Sequence, residues 1–249
     1  MRFSYASVLP LFTASVSAWS APGYDEYGLV WSDNFAGVSG SLPNENNWNI
    51  IDGNLGANNE LRTYKRDSRQ VQNSGGSTLQ LPGKRTMAEA AIRFGGNSVG
   101  TKQNIWPAFR FLGNFIRSGT AWPACGELDI IENVNGRLTC YGTIHCHVHP
   151  GGICNEPTGR GATVSIPNQE WQRRRIVWDR TPDDWRSDTI TWFMNDGHFH
   201  RVRGDQLGDP AVWASLAAKP LHFILNVAAG GDWVRIQLRG LCPADVLMG

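Results

Sequence analysis

Glu127-Leu128-Asp129-Ile130-Ile131-Glu132 sets three carboxylates into a short run of β-favouring apolar residues. Successive side chains of a strand point to opposite faces, so Glu127 and Asp129 share one face while Leu128 and Ile130 share the other. Unbroken alternation would carry Glu132 into the apolar layer with Leu128 and Ile130, where an unpaired carboxylate costs several kcal/mol. One extra residue at Ile130-Ile131, a β-bulge, returns Glu132 to the face of Glu127 and Asp129. Three acids then lie together on one face, and bulges are frequent beside active sites. The stretch has the pattern of a catalytic strand.

The chain continues Asn133-Val134-Asn135-Gly136-Arg137. Asn-Gly is a strong signal for a tight hairpin, because both central residues tolerate positive φ. A turn at Asn135-Gly136 predicts Val134 opposite Arg137 and Glu132 opposite Thr139. With one residue absorbed by the bulge, Asp129 faces Tyr141, Glu127 faces Thr143 and Cys125 faces His145. Tyr141, Thr143 and His145 then share the acid face, and Cys140, Gly142 and Ile144 point to the core. A histidine beside the acids can tune their protonation or bond a substrate; it can equally be a structural histidine bonded to a backbone carbonyl.

Outward from this hairpin the pattern repeats. Short β-type runs at Ser77–Leu81, Glu89–Phe94, Leu138–His147, Arg175–Trp178, Thr189–Met194 and Leu221–Val227 are separated by turn signals such as Gly95-Gly96-Asn97 and Asn195-Asp196-Gly197. Many short strands at this spacing predict an antiparallel sandwich rather than alternating βαβ units. Helical periodicity is weak; the best helix candidate is Asp209–Ala218, opened by Asp-Pro. At 249 residues an all-β chain fits one domain. Charged residues make up 18% with a net charge of +1, so no basic field points to nucleic acid. Eleven Trp, ten Phe and five Tyr are a heavy aromatic load: burial in a core is the usual fate of each, and tryptophans beyond what a core needs often form stacking platforms for sugar rings.

Residues 1–18 combine Arg2, a short apolar centre at Val8–Phe12 and a small-x-small end at Val16-Ser17-Ala18, the pattern of a secretory signal peptide. That centre is too short to span a bilayer, so no membrane partner is expected. Five cysteines, Cys125, Cys140, Cys146, Cys154 and Cys242, suit an oxidising compartment and leave one unpaired. Cys146 and Cys154 flank the Gly-rich loop 147–153 and could staple it.

Three acids on one face suit glycosidic-bond hydrolysis. A retaining mechanism pairs a nucleophilic carboxylate with an acid/base carboxyl about 5–5.5 Å away. A middle acid can hold the nucleophile and, by like-charge repulsion, keep a neighbour protonated. Clustered acids also bind calcium, although calcium usually recruits its ligands from loops. A salt-bridged surface face fits less well beside Trp106-Pro107 and Trp122-Pro123.

Gly126-Glu127-Leu128-Asp129-Ile130-Ile131-Glu132 resembles the E-x-D-x-x-E signature of glycoside hydrolase family 16, in the bulged form of its laminarinase-like and mixed-linkage β-glucanase members. Asn59-Glu60-Leu61 with Tyr64, Ile92–Gly95, Ile105–Phe109, Tyr141–Cys146, Trp178–Thr181 and Leu225–Gly231 are similar to its secreted fungal branch, in the expected order over residues 25–233. The resemblance implies an all-β fold, a concanavalin A-like β-jelly-roll sandwich of two antiparallel sheets with a substrate cleft on the concave face. It makes Glu127 the nucleophile, Asp129 its assistant and Glu132 the general acid/base. Trp122 and His145 match cleft residues, and Glu60 and Trp106 are candidate cleft walls that could equally be structural. Two departures stand out. Arg110 occupies the last position of what is usually Trp-Pro-Ala-Phe-Trp, and after Trp233 the sequence leaves the family pattern. Residues 19–233 therefore form the expected catalytic domain, and 234–249 an atypical tail in which one sandwich strand would be missing.

The expected protein is a secreted, extracellular, monomeric endo-acting enzyme that hydrolyses β-1,3 or mixed β-1,3/1,4 glucans with retention. The chemistry requires no cofactor, and a structural calcium is not predicted. A cell-wall glucan transglycosylase and a non-catalytic, lectin-like glucan-binding protein are the alternatives on the same sandwich.

Overall fold

Alternating runs in the sequence pair into two antiparallel sheets. The computed structural model describes residues 23–54 (apart from Glu26, Asn34, Ala36 and Ser39), 63–68 and 84–234. Within them lie β1 (Arg85–Ile92), β2 (Ile105–Gly113), β3 (Glu127–Asn133), β4 (Thr139–His145), β5 (Arg160–Ser165), β6 (Gln172–Asp179), β7 (Thr189–Met194), β8 (Gly197–Arg203), α1 (Pro210–Ala217) and β9 (Leu221–Ala229). One sheet has the order β1-β6-β7-β8 and the other β5-β4-β3-β2-β9. The expected signal segment 1–18, the run Ser77–Leu81, Glu60 and residues 235–249 of the atypical tail lie outside the described residues. Val234, placed in that tail by sequence, is buried against Trp106, Val134 and Ala228.

The core forms where the apolar faces of the two sheets meet. Ala88 and Ala90 of β1, Ile176 and Trp178 of β6, and Ile190, Trp192 and Met194 of β7 pack with Phe109 and Phe111 of β2, Leu128 and Ile130 of β3, and Cys140 and Ile144 of β4. Gly142 is small for a reason: a Cβ there would sit 2.8 Å from Trp192 and 2.9 Å from Phe199. Helix α1 is the predicted one, with Asp209 accepting the N–H groups of Ala211 and Val212, and it adds Val212, Trp213 and Leu216 to the same core. Trp31-Ser32-Asp33 is irregular, anchored by Asp33, which accepts the indole N–H of Trp48 at 2.7 Å.

Two features interrupt this core. Arg174 of β6 is fully buried in it; Nη1 touches the Met194 sulfur, while Nε and Nη2 have no hydrogen-bond partner among the described residues. At the β9 edge, Leu225 and Val227 stand on the strand face shared with Phe223, which packs on Phe109 and Phe111, yet they are 47% and 51% exposed.

The bulge lies where the alternation of β3 requires it. Asp129 pairs with Thr143 and Glu132 with Tyr141, so the register against β4 slips by one residue across Ile130-Ile131; the register against β2 slips at the same place. Both isoleucines are buried. The Asp129 carbonyl there accepts the indole N–H of Trp192 from the facing sheet at 2.8 Å.

The hairpin register differs from the expected one by two residues. Asn135 and Gly136 do form the turn, with φ of 60° and 63°, and Arg137 N–H donates to the Val134 carbonyl. Beyond the turn, however, Asn133 pairs with Cys140, Glu132 with Tyr141, Asp129 with Thr143 and Glu127 with His145. The buried Asn133 side chain is the cause: its Nδ2 donates to the carbonyls of Arg137 (2.7 Å) and Thr139 (3.0 Å), taking up extra residues that a tight ladder would pair. A shift of two preserves the strand faces, so Tyr141, Thr143 and His145 remain on the acid side.

Candidate active site

The outer face of the five-stranded sheet carries the acids. Glu127, Asp129 and Glu132 project from β3, with Trp106 and Arg110 from β2, Tyr141 and His145 from β4, and Asn226 from β9 sharing their side by register. Although they line the polar side of the sheet, the three acids are buried, Asp129 to 1% exposure. Each therefore has to be compensated by named partners.

Glu127 is the most tightly held. Trp122 donates its indole N–H to Oε2 at 2.6 Å and Arg110 donates Nη1–H to Oε1 at 2.8 Å. Burial and the nearby Asp129 charge push its pKa up, and Arg110 and His145 pull it back. Asp129 lies between two cations, with Oδ2 3.3 Å from His145 Nε2 and Oδ1 3.7 Å from Arg110 Nε. Among the described residues Glu132 accepts one hydrogen bond, from the Trp106 indole at 2.9 Å, and Arg110 Nη2 stays 3.7 Å away. Burial first, then the Asp129 charge, raise the Glu132 carboxyl to about 8.

His145 is a cation rather than a neutral imidazole. Burial opposes its charge, but hydrogen bonding to Asp129 and Glu156 prevails and raises it to about 10. Glu156, buried and reaching His145 Nδ1 at 2.7 Å, also accepts the backbone N–H of Cys146 at 2.8 Å. The Cys146–Cys154 disulfide, anticipated from the flanking of the Gly-rich loop, ties down the segment immediately before Glu156. Cys125 and Cys140 are buried free thiols.

The residues singled out by sequence come together here, with the exception of Glu60, which lies outside the described residues. The indoles of Trp106 and Trp122 each bond a different acid, and Trp106 is buried among Val134, Ala228 and Val234. Trp122 is 36% exposed and lies beside His145 and His149, with ring centroids 5.5 and 5.9 Å apart. Four participants were not picked as site residues. Arg110 was noted only as a departure, and Glu156 had no signal beyond its nearness to a cysteine. Trp233, which packs edge-on against Trp106 and Tyr141 at 5.0 and 5.1 Å, marks in the sequence only the end of the resemblance. Asn226, whose Oδ1 lies 3.4 Å from Arg110 Nη2, stood inside a motif without a role.

No protein-family model matches the chain. It is 28% identical over 228 residues to a beta-glucanase of Rhodothermus marinus, covering 82% of this chain and 76% of that protein. It is 27% identical over 238 residues to the clotting factor G alpha subunit of Tachypleus tridentatus, covering 84% of this chain but 31% of that protein. Among solved structures, the endo-1,3-beta-glucanase of Streptomyces sioyaensis superposes with a TM-score of 0.74 at 27% identity, over 86% of this chain and 89% of the other. The chain has the two-sheet jelly-roll fold of these glucanases, and endo-1,3-beta-glucanases are among its homologues.

Proposed function

We propose that this protein is an endo-acting β-glucanase that cleaves β-1,3 or mixed β-1,3/1,4 glucans by a retaining double displacement. One observation carries the reading: Glu127 and Glu132 share one face of one bulged strand but have unequal hydrogen-bond partners. Glu127 accepts a guanidinium N–H and an indole N–H, and the guanidinium pulls its carboxyl back toward the ionised form against burial and the Asp129 charge. Among the described residues Glu132 has one donor, a neutral one, and its carboxyl is raised to about 8, which favours its protonated form at neutral pH. Two carboxyls with such unequal partners can divide the roles of nucleophile and acid between them.

In the first step the Glu127 carboxylate forms a bond to the anomeric carbon. The bond to the leaving oxygen breaks, and the Glu132 proton moves to that oxygen. In the second, Glu132, now a carboxylate, takes a proton from water as the water oxygen displaces Glu127. Asp129, between the two and against His145, keeps negative charge next to Glu132 and so favours its protonated form. Trp122, Trp233 and Tyr141 offer ring faces and edges against which glucose units can pack.

Secretion belongs to the same reading, supported by the signal-like residues 1–18 and by the disulfide, which suits an oxidising compartment. The motif neighbours further suggest the laminarinase-like branch of secreted fungal enzymes, acting as a monomer without a cofactor. The test is incubation of the purified chain with laminarin, barley glucan and lichenan, with the products sized. Oligosaccharides from any of these, lost in Glu127→Gln while glucan binding persists, support the reading. A wild type that binds glucan without cleaving it identifies a lectin, and products longer than the substrate when acceptor is added identify a transglycosylase.

A further inference from the structure

We propose that Arg110 is a positioning residue of this site: it holds Glu127 in place as an anion and follows the negative charge from Glu127 to Glu132 during the reaction. The proposal rests on the glucanase reading for its kinetic part, and its electrostatic part stands on geometry alone. Arg110 reaches all three acids from β2, opposite Asp129 in the register. The reach is unequal. Nη1 bonds Glu127 Oε1 at 2.8 Å, whereas Nε and Nη2 lie 3.7 Å from Asp129 and Glu132, beyond hydrogen-bond length. Asn226 at 3.4 Å and the Trp106 ring, 5.7 Å from the guanidinium carbon, hold the other side of the group.

This asymmetry matches the charge flow of a double displacement. On that reading the anion of the free enzyme is on Glu127, which has the short contact, while Glu132, the proton donor, lies beyond hydrogen-bond range of the guanidinium. When Glu127 becomes a glycosyl ester its charge disappears, and Glu132, having given its proton to the leaving group, becomes the carboxylate. Nη2 already faces Glu132 Oε1, so a small movement of one side chain transfers the ion pair. Among the described residues Nε has no hydrogen-bond partner and the Nη2–Asn226 contact is long at 3.4 Å, so the group can make that movement. The guanidinium is charged throughout: burial opposes its charge, but Asp129, Glu127 and Glu132 together outweigh burial and raise its pKa. An aromatic residue at this position could pack against a sugar but could not carry this charge.

The experiment titrates the two glutamates without relying on turnover. Protein carrying ¹³C at the glutamate δ-carbon is followed by NMR across pH, with Glu127→Gln and Glu132→Gln assigning the resonances. In Arg110→Met both midpoints rise by about 1–3 pH units, the effect of removing an opposite charge a few ångströms away. Arg110→Lys keeps them near wild type. Should Arg110→Met not fold, Arg110→Gln, which retains a donor without the charge, gives the same rise. On laminarin, both limbs of the kcat profile move up with the midpoints, and turnover at about pH 5 falls about tenfold or more. Unmoved midpoints overturn the proposal and leave Arg110 structural. A more active Arg110→Met overturns it too, showing that the guanidinium obstructs the sugar. Shifted midpoints in a protein that cleaves no glucan support the electrostatic role and overturn the glucanase reading instead.

Discussion

Arg110 and Arg174 lie on facing sheets, both withdrawn from solvent, and their surroundings could hardly differ more. Arg110, on the outer face of the five-stranded sheet, meets three carboxylates. Arg174, on the inner side of the four-stranded sheet, meets the Met194 sulfur and the Cys140 thiol; among the described residues it forms no ion pair. Burial lowers the Arg174 pKa, whereas on Arg110 the anions overcome the same penalty. A buried charge is tolerable where other charges need it and a standing cost where none do. The difference separates charge that serves chemistry from charge that only weakens the core.

The largest effects belong to the outer face. Glu132→Gln removes the transferable proton and should lower kcat by about 10²–10⁴-fold on a poor leaving group. Glu127→Gln should cost more, because no covalent intermediate can form. In the wild type the Glu132 proton leaves as pH rises through about 8, so activity falls along that limb. On an activated aryl glycoside, whose leaving group needs no proton, added azide restoring turnover to Glu132→Gln would fit an acid/base role. A Glu132→Gln enzyme as active as wild type would break the comparison at its strongest point.

The opposite sign is expected in the interior. Arg174→Met replaces an unpaired cation by a flexible apolar side chain that can fill its space and remain against Met194. The variant should be more stable by about 1–4 kcal/mol, the range seen when buried ionic groups give way to well-packed apolar ones. Melting and urea midpoints both read this, with kcat unchanged. A destabilised Arg174→Met would mean that the guanidinium is compensated by something other than the thiol and thioether, and the contrast with Arg110 would fail.

A smaller, pH-dependent effect lies between these extremes. The folded-state pKa of His145, about 10, stands above its ordinary value of 6.5. Its contribution to stability is therefore complete below about pH 6.5 and lost as pH rises through about 10. Glu132, raised from 4.5 to about 8, acts with the same sign, favouring the fold at low pH and losing that advantage as it ionises. Stability should fall from about pH 6 to about pH 9.5. Glu156→Gln removes an anion from His145 Nδ1, costs about 1.5–3 kcal/mol near neutrality and narrows the difference in melting temperature between those two pH values. An unchanged difference would show that Asp129 alone holds the imidazolium.

What was legible in the sequence follows physical range. The acid strand and its bulge could be read because alternation is local and a carboxylate in the apolar layer is forbidden within six residues. The facing residues Tyr141, Thr143 and His145 were legible as a set, since strand faces survive a register shift of two. Their individual pairings were not, because Asn133 bonds the backbone of its own hairpin in place of a ladder contact. Arg110 was visible as an oddity but its targets were not: they lie one strand away, reached only after a bulge resets the register of β2 on β3. Glu156 follows no period at all; a loop and a disulfide bring it to His145.

The smallest effect tests whether facing the interior is enough to make a residue part of the core. Leu225 and Val227 share their strand face with Phe223, which packs on Phe109 and Phe111, but about half of each is exposed at the edge of the sheet. Area left in water contributes nothing to stability, so the face a side chain points to matters less than what covers it. Leu225→Thr should therefore change stability by no more than about 0.5 kcal/mol, as at an ordinary surface position. Leu128→Ala, beneath the acids and fully buried, should lose about 2–5 kcal/mol. The pair of urea midpoints measures both. A loss above about 2 kcal/mol at Leu225 would mean that the sandwich in solution is closed over β9, and the apolar edge would then belong to the same core that shelters Arg174.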